Sequence, residues 1–151
     1  MTLTEKKQKG WQRSMRLLID ANVILDVLQN REPHVKDSAA IWRLCETRQA
    51  EGFISALTFA NLVYIMRREL NPGQIEEVLQ KLSLIFTFTE LSPSDLTSAA
   101  HRQWDDFEDA LQSVTAERIH ADYIVTRNVR DFLRSKVTAF TPSELRGRMA
   151  I

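Results

Sequence analysis

The chain is short of several residues, and each shortage removes a class of function. It has one cysteine, Cys45, so no internal disulfide forms, which fits a reducing compartment such as the cytoplasm. Four glycines leave no phosphate-cradling loop, no dinucleotide pattern and no nucleophile elbow. The three histidines, His34, His101 and His120, have no metal-ligand spacing and no partner motif, which speaks against a histidine acid–base nuclease. No apolar run approaches the ~20 residues needed to span a bilayer. The opening MTLTEKKQKGWQRS is polar and basic with no apolar stretch behind it, unlike a secretory signal. Charge of one sign is missing too. Twenty basic residues cancel twenty acidic ones, so any affinity for nucleic acid must come from local placement.

What remains suits one soluble domain. A hydrophobic fraction of 44% over 151 residues supplies one core and is too little chain for two ordinary domains. Residues 1–14 read as a disordered polar tail, with Met15 an alternative start, and residues 15–151 as a single domain. MRLLIDA is a short apolar run fit for a strand buried on both faces, with Asp20 at its C-terminal end. NVILDVLQN and the stretch from Val35 to Arg48 carry apolar residues at helical spacing. GFISA predicts a second strand, Leu57 to Leu70 a helix, and LIFTFTEL a further β-rich run. Asn71-Pro72, Ser92-Pro93 and Thr141-Pro142 each place a capping side chain before proline, and the last two add an acid three residues after the cap. DFEDALQSVTAERI predicts a helix with acids in its first turn, ADYIVTRN a strand with a polar end, DFLRSK a short helical piece and VTAFTP a last strand. Strands alternating with helices predict an α/β fold around a mostly parallel sheet, with right-handed crossovers placing helices on both faces.

In such sheets ligands bind outside the carboxyl ends of the strands. Those ends are unusually polar here: Asp20, Ala21 and Asn22 after the first, and Thr126, Arg127 and Asn128 after the fourth, with Asp131 just beyond. Asp106, Glu108 and Asp109 gather charge within four residues. Acids in a first turn also offset the helix dipole with no functional role, and Asp20 could simply cap the next helix. Yet a carboxylate closing the apolar strand LLID is costly to bury without a partner. Carboxylates held within ~4 Å repel by about 1 kcal/mol per pair in water and by more when partly buried. Mg²⁺ or Mn²⁺ would relieve that repulsion, because such ions prefer hard oxygen ligands and bind beside substrate phosphate.

These same residues resemble a known family. LLIDANVILDVL is similar to the opening of PIN domains, FISALTFANLVYIMRR to their second block, and DFEDALQSVTAERIHADYIVTRNVRDF to their third and fourth. The match runs from about Met15 to Pro142 and is nearest to VapC-like toxins. The resemblance implies a three-layer α/β/α fold with a five-stranded, mostly parallel sheet in which the first and fourth strands are neighbours. It implies Mg²⁺- or Mn²⁺-dependent cleavage of RNA, an antitoxin partner and a homodimer. It makes Asp20 and Asp109 the principal metal ligands, with Asp106, Asn128 and Asp131 as outer or water-mediated contacts, and puts Asp26 on the helix surface or behind the ligands. One position departs from the pattern. Many PIN nucleases carry glutamate where this chain has Asn61, a neutral and weaker ligand, which leaves open a domain that binds RNA or a partner without cutting.

Several residues have plainer readings. Arg127 and Arg130 are placed to follow an RNA backbone if they flank the acids, and Arg134, Arg67 and Arg68 less so; solvated charge is the default for all five. Trp42 and Trp104 suit core packing better than base stacking. Cys45, beside Leu44 on an apolar helix face, reads as a small core residue.

Overall fold

Leu17, Leu18 and Ile19 are all buried, and they divide between two cores. Leu17 and Ile19 pack with Ile54, Val125, Val23 and Ile24 on one side of a sheet, while Leu18 joins Phe53, Ile124 and Ile119 on the other. Period-two alternation along a strand buried on both faces requires this division. The computed structural model describes residues 14–151, so the expected polar tail lies outside the described residues save Ser14.

In chain order the elements are β1 (Met15–Ile19), α1 (Ala21–Leu28), α2 (Val35–Glu46), β2 (Ala50–Ser55), α3 (Ala56–Met66), α4 (Pro72–Ile85) and β3 (Thr87–Thr89). There follow α5 (Pro93–Arg102), α6 (Phe107–Arg118), β4 (Tyr123–Val125), a 3-10 turn (Val129–Phe132), β5 (Ala139–Phe140) and α7 (Pro142–Met149). The sheet is five-stranded in the order β3-β2-β1-β4-β5, and every pairing in it is parallel. β1 sits at the centre, between β2 and β4, so Asp20 leaves the middle of the sheet's carboxyl edge. Among the described residues no helix is long and apolar enough to cross a membrane.

The three proline-marked helix starts fold as their spacing predicts. Asn71, Ser92 and Thr141 each accept the N–H of the residue three further on, and Gln74, Asp95 and Glu144 reach back in full capping boxes. Two expectations shift. Leu84 and Ile85 belong to α4, because Ile75, Val78, Leu82 and Ile85 sustain a helical period, and only Thr87–Thr89 remain as strand. The helix expected to reach Leu70 ends at Met66.

β2 lies very close to α2 and to Phe86. A Cβ on Gly52 would stand 2.6 Å from Cys45 Sγ and 2.7 Å from Phe86 Cδ1, which is why glycine occupies that position. Cys45 is fully buried there, and burial pushes its thiol up to about 12, the inert core residue its helix face predicts. Trp42 packs edge-on against Phe86, with ring centroids 5.1 Å apart. On the other flank, Arg118 holds the buried Asp95 with its Nε 3.0 Å from both carboxylate oxygens and donates to the Glu90 carbonyl, fixing α6 to the start of α5. Burial alone would raise Asp95, but the Ser92 N–H and the Arg118 guanidinium hold it below its ordinary value.

Candidate functional site

The carboxyl end of β1 is stitched to that of β4. Asp20 N–H donates to the Val125 carbonyl at 2.9 Å, and the Thr126 hydroxyl donates to Asp20 Oδ2 at 2.7 Å. Asn128 N–H donates to Thr126 Oγ1, and Arg127 N–H to Asn22 Oδ1. Asp20 also caps α1 by accepting the Ala21 N–H at 2.8 Å, so its capping role is present. Capping leaves the residue far from relaxed. Burial raises its pKa above the ordinary value, the Thr126 hydroxyl and Ala21 N–H pull it back, and the nearby charge of Asp131 raises it again.

Asp109 enters from α6. Asp106 caps that helix by accepting the Asp109 N–H at 3.0 Å, which places Glu108 and Asp109 in its first turn. No hydrogen bond reaches the Asp109 carboxylate from any described residue. Burial, and then the charges of Asp106, Asp131, Asp20 and Glu108, push its pKa up to about 6. Asp20, Asp106, Asp109 and Asp131 therefore form one electrostatic group contributed by β1, α6 and the 3-10 turn. Beside it opens a cleft of about 210 Å³ lined by Trp104, Asp105, Asp106, Asp109, Asp131 and the arginines Arg130 and Arg134.

The other sequence-expected residues divide. Asn128 is exposed at the start of the 3-10 turn, and its backbone joins the β1–β4 stitching. Asn61 is half-buried on α3, one turn beyond Thr58, and its side chain makes no hydrogen bond among the described residues. Thr58 and Ser55 bond Gln112 of α6 at 2.9 and 2.6 Å, so that face of α3 is tied to the helix carrying Asp109. Arg67 and Arg68 are exposed at the far end of α3.

Of the two places expected for Asp26, the helix surface or behind the ligands, its burial excludes the surface. Asp26 is 0% exposed, its Oδ2 accepts the Ser38 hydroxyl at 2.9 Å, and Arg127 Nε stands 3.2 Å from the same oxygen. A carboxylate at that depth needs a cation, and Arg127 supplies it. Arg127 is thus committed inward, whereas Arg130 is exposed on the cleft. Trp104 is half-buried and forms a wall of that cleft, which a reading of it as core alone misses.

Whether such a site suits a divalent cation is a question of donors. All the available groups are hard oxygens, and their mutual repulsion falls when a cation binds. Among the described residues no three His, Cys, Asp or Glu side chains stand close enough to hold one ion together. Mg²⁺ commonly takes only one or two protein carboxylates and completes its shell with water and phosphate. Asp20 and Asp109 are two such hard-oxygen donors, one closing β1 and one in the first turn of α6.

Residues 16–130 match the sequence model of the PIN domain. The chain belongs to the PIN domain family. Its fold matches solved structures along most of its length. FitAcB from Neisseria gonorrhoeae aligns with a TM-score of 0.65 at 20% identity, covering 84% of this chain and 98% of that one. VapBC from nontypeable Haemophilus influenzae aligns at 0.65 and 16%, covering 85% and 99%. The sarcin-ricin loop cleaving VapC toxin of Mycobacterium tuberculosis aligns at 0.57 and 10%, covering 72% and 86%. Among curated proteins none matches this PIN domain in sequence. At such identities the solved structures establish the fold, and the acid group described above must carry any statement about chemistry.

Proposed function

We propose that this PIN domain is a Mg²⁺- or Mn²⁺-dependent endoribonuclease acting in the cytoplasm as the toxin of a toxin–antitoxin pair. The observation that carries the proposal is the group of four carboxylates at the sheet's carboxyl edge, Asp20, Asp106, Asp109 and Asp131, in which burial and the charges of the other three raise the proton affinity of Asp109, and burial and the charge of Asp131 raise that of Asp20. Asp20 and Asp109 would hold the cation. A divalent ion there supplies Lewis-acid polarisation of a phosphodiester and neutralises developing charge. Asp106 and Asp131, on the cleft wall, are the groups to orient an attacking water and accept its proton. Asn128 borders the same edge, and Arg130 contributes positive charge for an RNA backbone.

The assay is cleavage of a single-stranded RNA by purified protein with Mg²⁺, Mn²⁺ or EDTA. Cutting that requires the metal and disappears in Asp20→Asn supports the reading. RNA bound and left intact under every metal condition supports the second reading, a non-cutting PIN domain, which Asn61 in place of an acid favours.

Support for an antitoxin comes from a toxin–antitoxin complex from Klebsiella pneumoniae, whose solved structure shares this fold with a TM-score of 0.65 at 18% identity. A small DNA-binding reading frame next to this gene would strengthen that role. Along α3, Leu62 and Met66 are buried and Ile65 half-buried, while Tyr64 is exposed at 52%. Further apolar surface lies nearby in a groove lined by Leu28, Leu70 and Val78 together with Gln29, Arg31 and Glu69. A homodimer or an antitoxin complex would cover it. Light scattering at micromolar concentration tests the first, and a stable monomer would reject the homodimer.

A further inference from the structure

The cleft beside Asp109 contains more than phosphodiester chemistry calls for. Trp104 forms one wall and packs against two buried clusters, one including Leu111 and Val114 and the other Ile119 and Phe132, which anchor its ring. The Arg134 guanidinium stands over the indole at 5.7 Å, a loose stacking contact. Among the described residues neither Arg134 nor Arg130 forms an ion pair, although Asp105, Asp106, Asp109 and Asp131 line the same cleft. The cleft therefore brings an indole and a guanidinium together with donors and acceptors that are free of ion pairs. Inorganic phosphate would need only the donors, and the carboxylates would repel it. An apolar side chain would need only the wall. A nucleobase needs both: a π face to stack on, and an edge read by arginine donors and carboxylate acceptors. The base must be unpaired, since a duplex stacks its faces away from Trp104 and pairing covers the N–H edge that Asp105 would accept from.

We propose that this cleft holds an unpaired nucleobase of the RNA strand, stacked on the Trp104–Arg134 wall with its edge at Arg130 and Asp105. The adjacency to a scissile phosphate rests on the nuclease reading, but the base site itself does not. Guanine is the probe of choice, because its edges present both the O6 and N7 acceptors that arginine takes and N–H groups that carboxylates accept.

Guanosine carries no phosphate, so its binding can be measured in EDTA with no cleavage chemistry present. The chain has three tryptophans, hence three indole N–H signals in a ¹⁵N-correlated spectrum, and Trp104→Phe identifies one of them by its loss. Guanosine should shift that signal and leave the other two in place, while ribose should move none. Because Trp104 also packs on the core, the exposed Arg134 carries the affinity test: Arg134→Ala should weaken guanosine binding about ten-fold or more. An unmoved Trp104 signal, an equal shift with ribose, or a shift with N-acetylargininamide in place of guanosine would each overturn the base site. RNA cleavage without a guanosine shift would remove the base site and keep the nuclease; a guanosine shift without cleavage would do the reverse.

Discussion

Arg127 Nε lies 3.2 Å from Oδ2 of Asp26, a carboxylate with no solvent exposure, and the other oxygen of that carboxylate has no partner among the described residues. The Arg127 Nε–H is also poorly aligned for a hydrogen bond, so the pair is held by charge, with Ser38 supplying the directed bond. Removing one member of a buried pair leaves the other charge uncompensated. Arg127→Ala should therefore destabilise the domain by roughly 3 kcal/mol in urea unfolding, and adding Asp26→Leu to it should restore much of the loss. If Arg127→Ala instead lowered RNA affinity at unchanged stability, Arg127 would be a substrate contact and not an internal tie.

Asp20→Asn separates chemistry from folding. Asparagine caps helices about as well as aspartate, so the Ala21 N–H keeps its acceptor and stability should change by no more than about 1 kcal/mol. Asp20→Ala loses the cap and should cost about 1 kcal/mol beyond that. Both should abolish metal-dependent RNA cleavage. A midpoint in denaturant that collapses for Asp20→Asn would make the cap, and not the cation, the reason for this residue.

The parts of this fold that local chemistry dictates were legible in the sequence. Proline after Asn71, Ser92 and Thr141 fixes three helix starts because the capping geometry needs only neighbouring residues. The parallel sheet follows from strand–helix alternation, and the β1–β4 pairing from the family resemblance. Asp26 was only half legible, left open between the helix surface and a place behind the ligands. Its burial depends on Arg127, about a hundred positions away, and on Ser38 of another helix. An acid in LDVLQN looks like helix surface until the tertiary partner is known. Trp104 hid for a similar reason: one tryptophan can pack on a core and wall a cleft, and spacing alone does not separate the two.

The raised pKa of Asp109 makes stability depend on pH with a defined sign. Its ordinary value is 3.8 and the fold moves it to about 6, so the folded protein holds this proton more tightly than the unfolded chain does. That contribution is complete below the ordinary carboxylate range and is lost as pH rises through about 6. In EDTA the thermal midpoint should fall over this window, and the fall should shrink in Asp109→Asn. Saturating Mn²⁺ should offset it above pH 6, where the carboxylate is free of its proton, and offset it less below. Calorimetric scans from pH 4 to 8 with and without metal test all three. A midpoint with the same slope in wild type and Asp109→Asn would reject the raised pKa that burial and the neighbouring carboxylates give Asp109.

Asn61 decides between the two functional readings most directly. It lies half-buried on α3, a turn beyond the Thr58–Gln112 contact, and its amide has no hydrogen bond among the described residues, so replacement breaks none. An amide oxygen is a neutral donor and adds no charge to a cation site, whereas a carboxylate adds a full negative charge and a stronger oxygen. If Asn61 borders the acid group, Asn61→Glu should raise Mn²⁺ affinity in calorimetric titration and raise the rate of RNA cleavage. It should also deepen the repulsion without metal, lowering the thermal midpoint in EDTA while leaving the metal-loaded protein little changed. The two effects have opposite signs and a common cause, so they should appear together. Stronger metal binding without faster cleavage would mark the wild-type domain as one that binds RNA and does not cut it. Neither effect would place Asn61 away from the carboxylates, and the departure from the PIN pattern at this position would then carry no weight against catalysis.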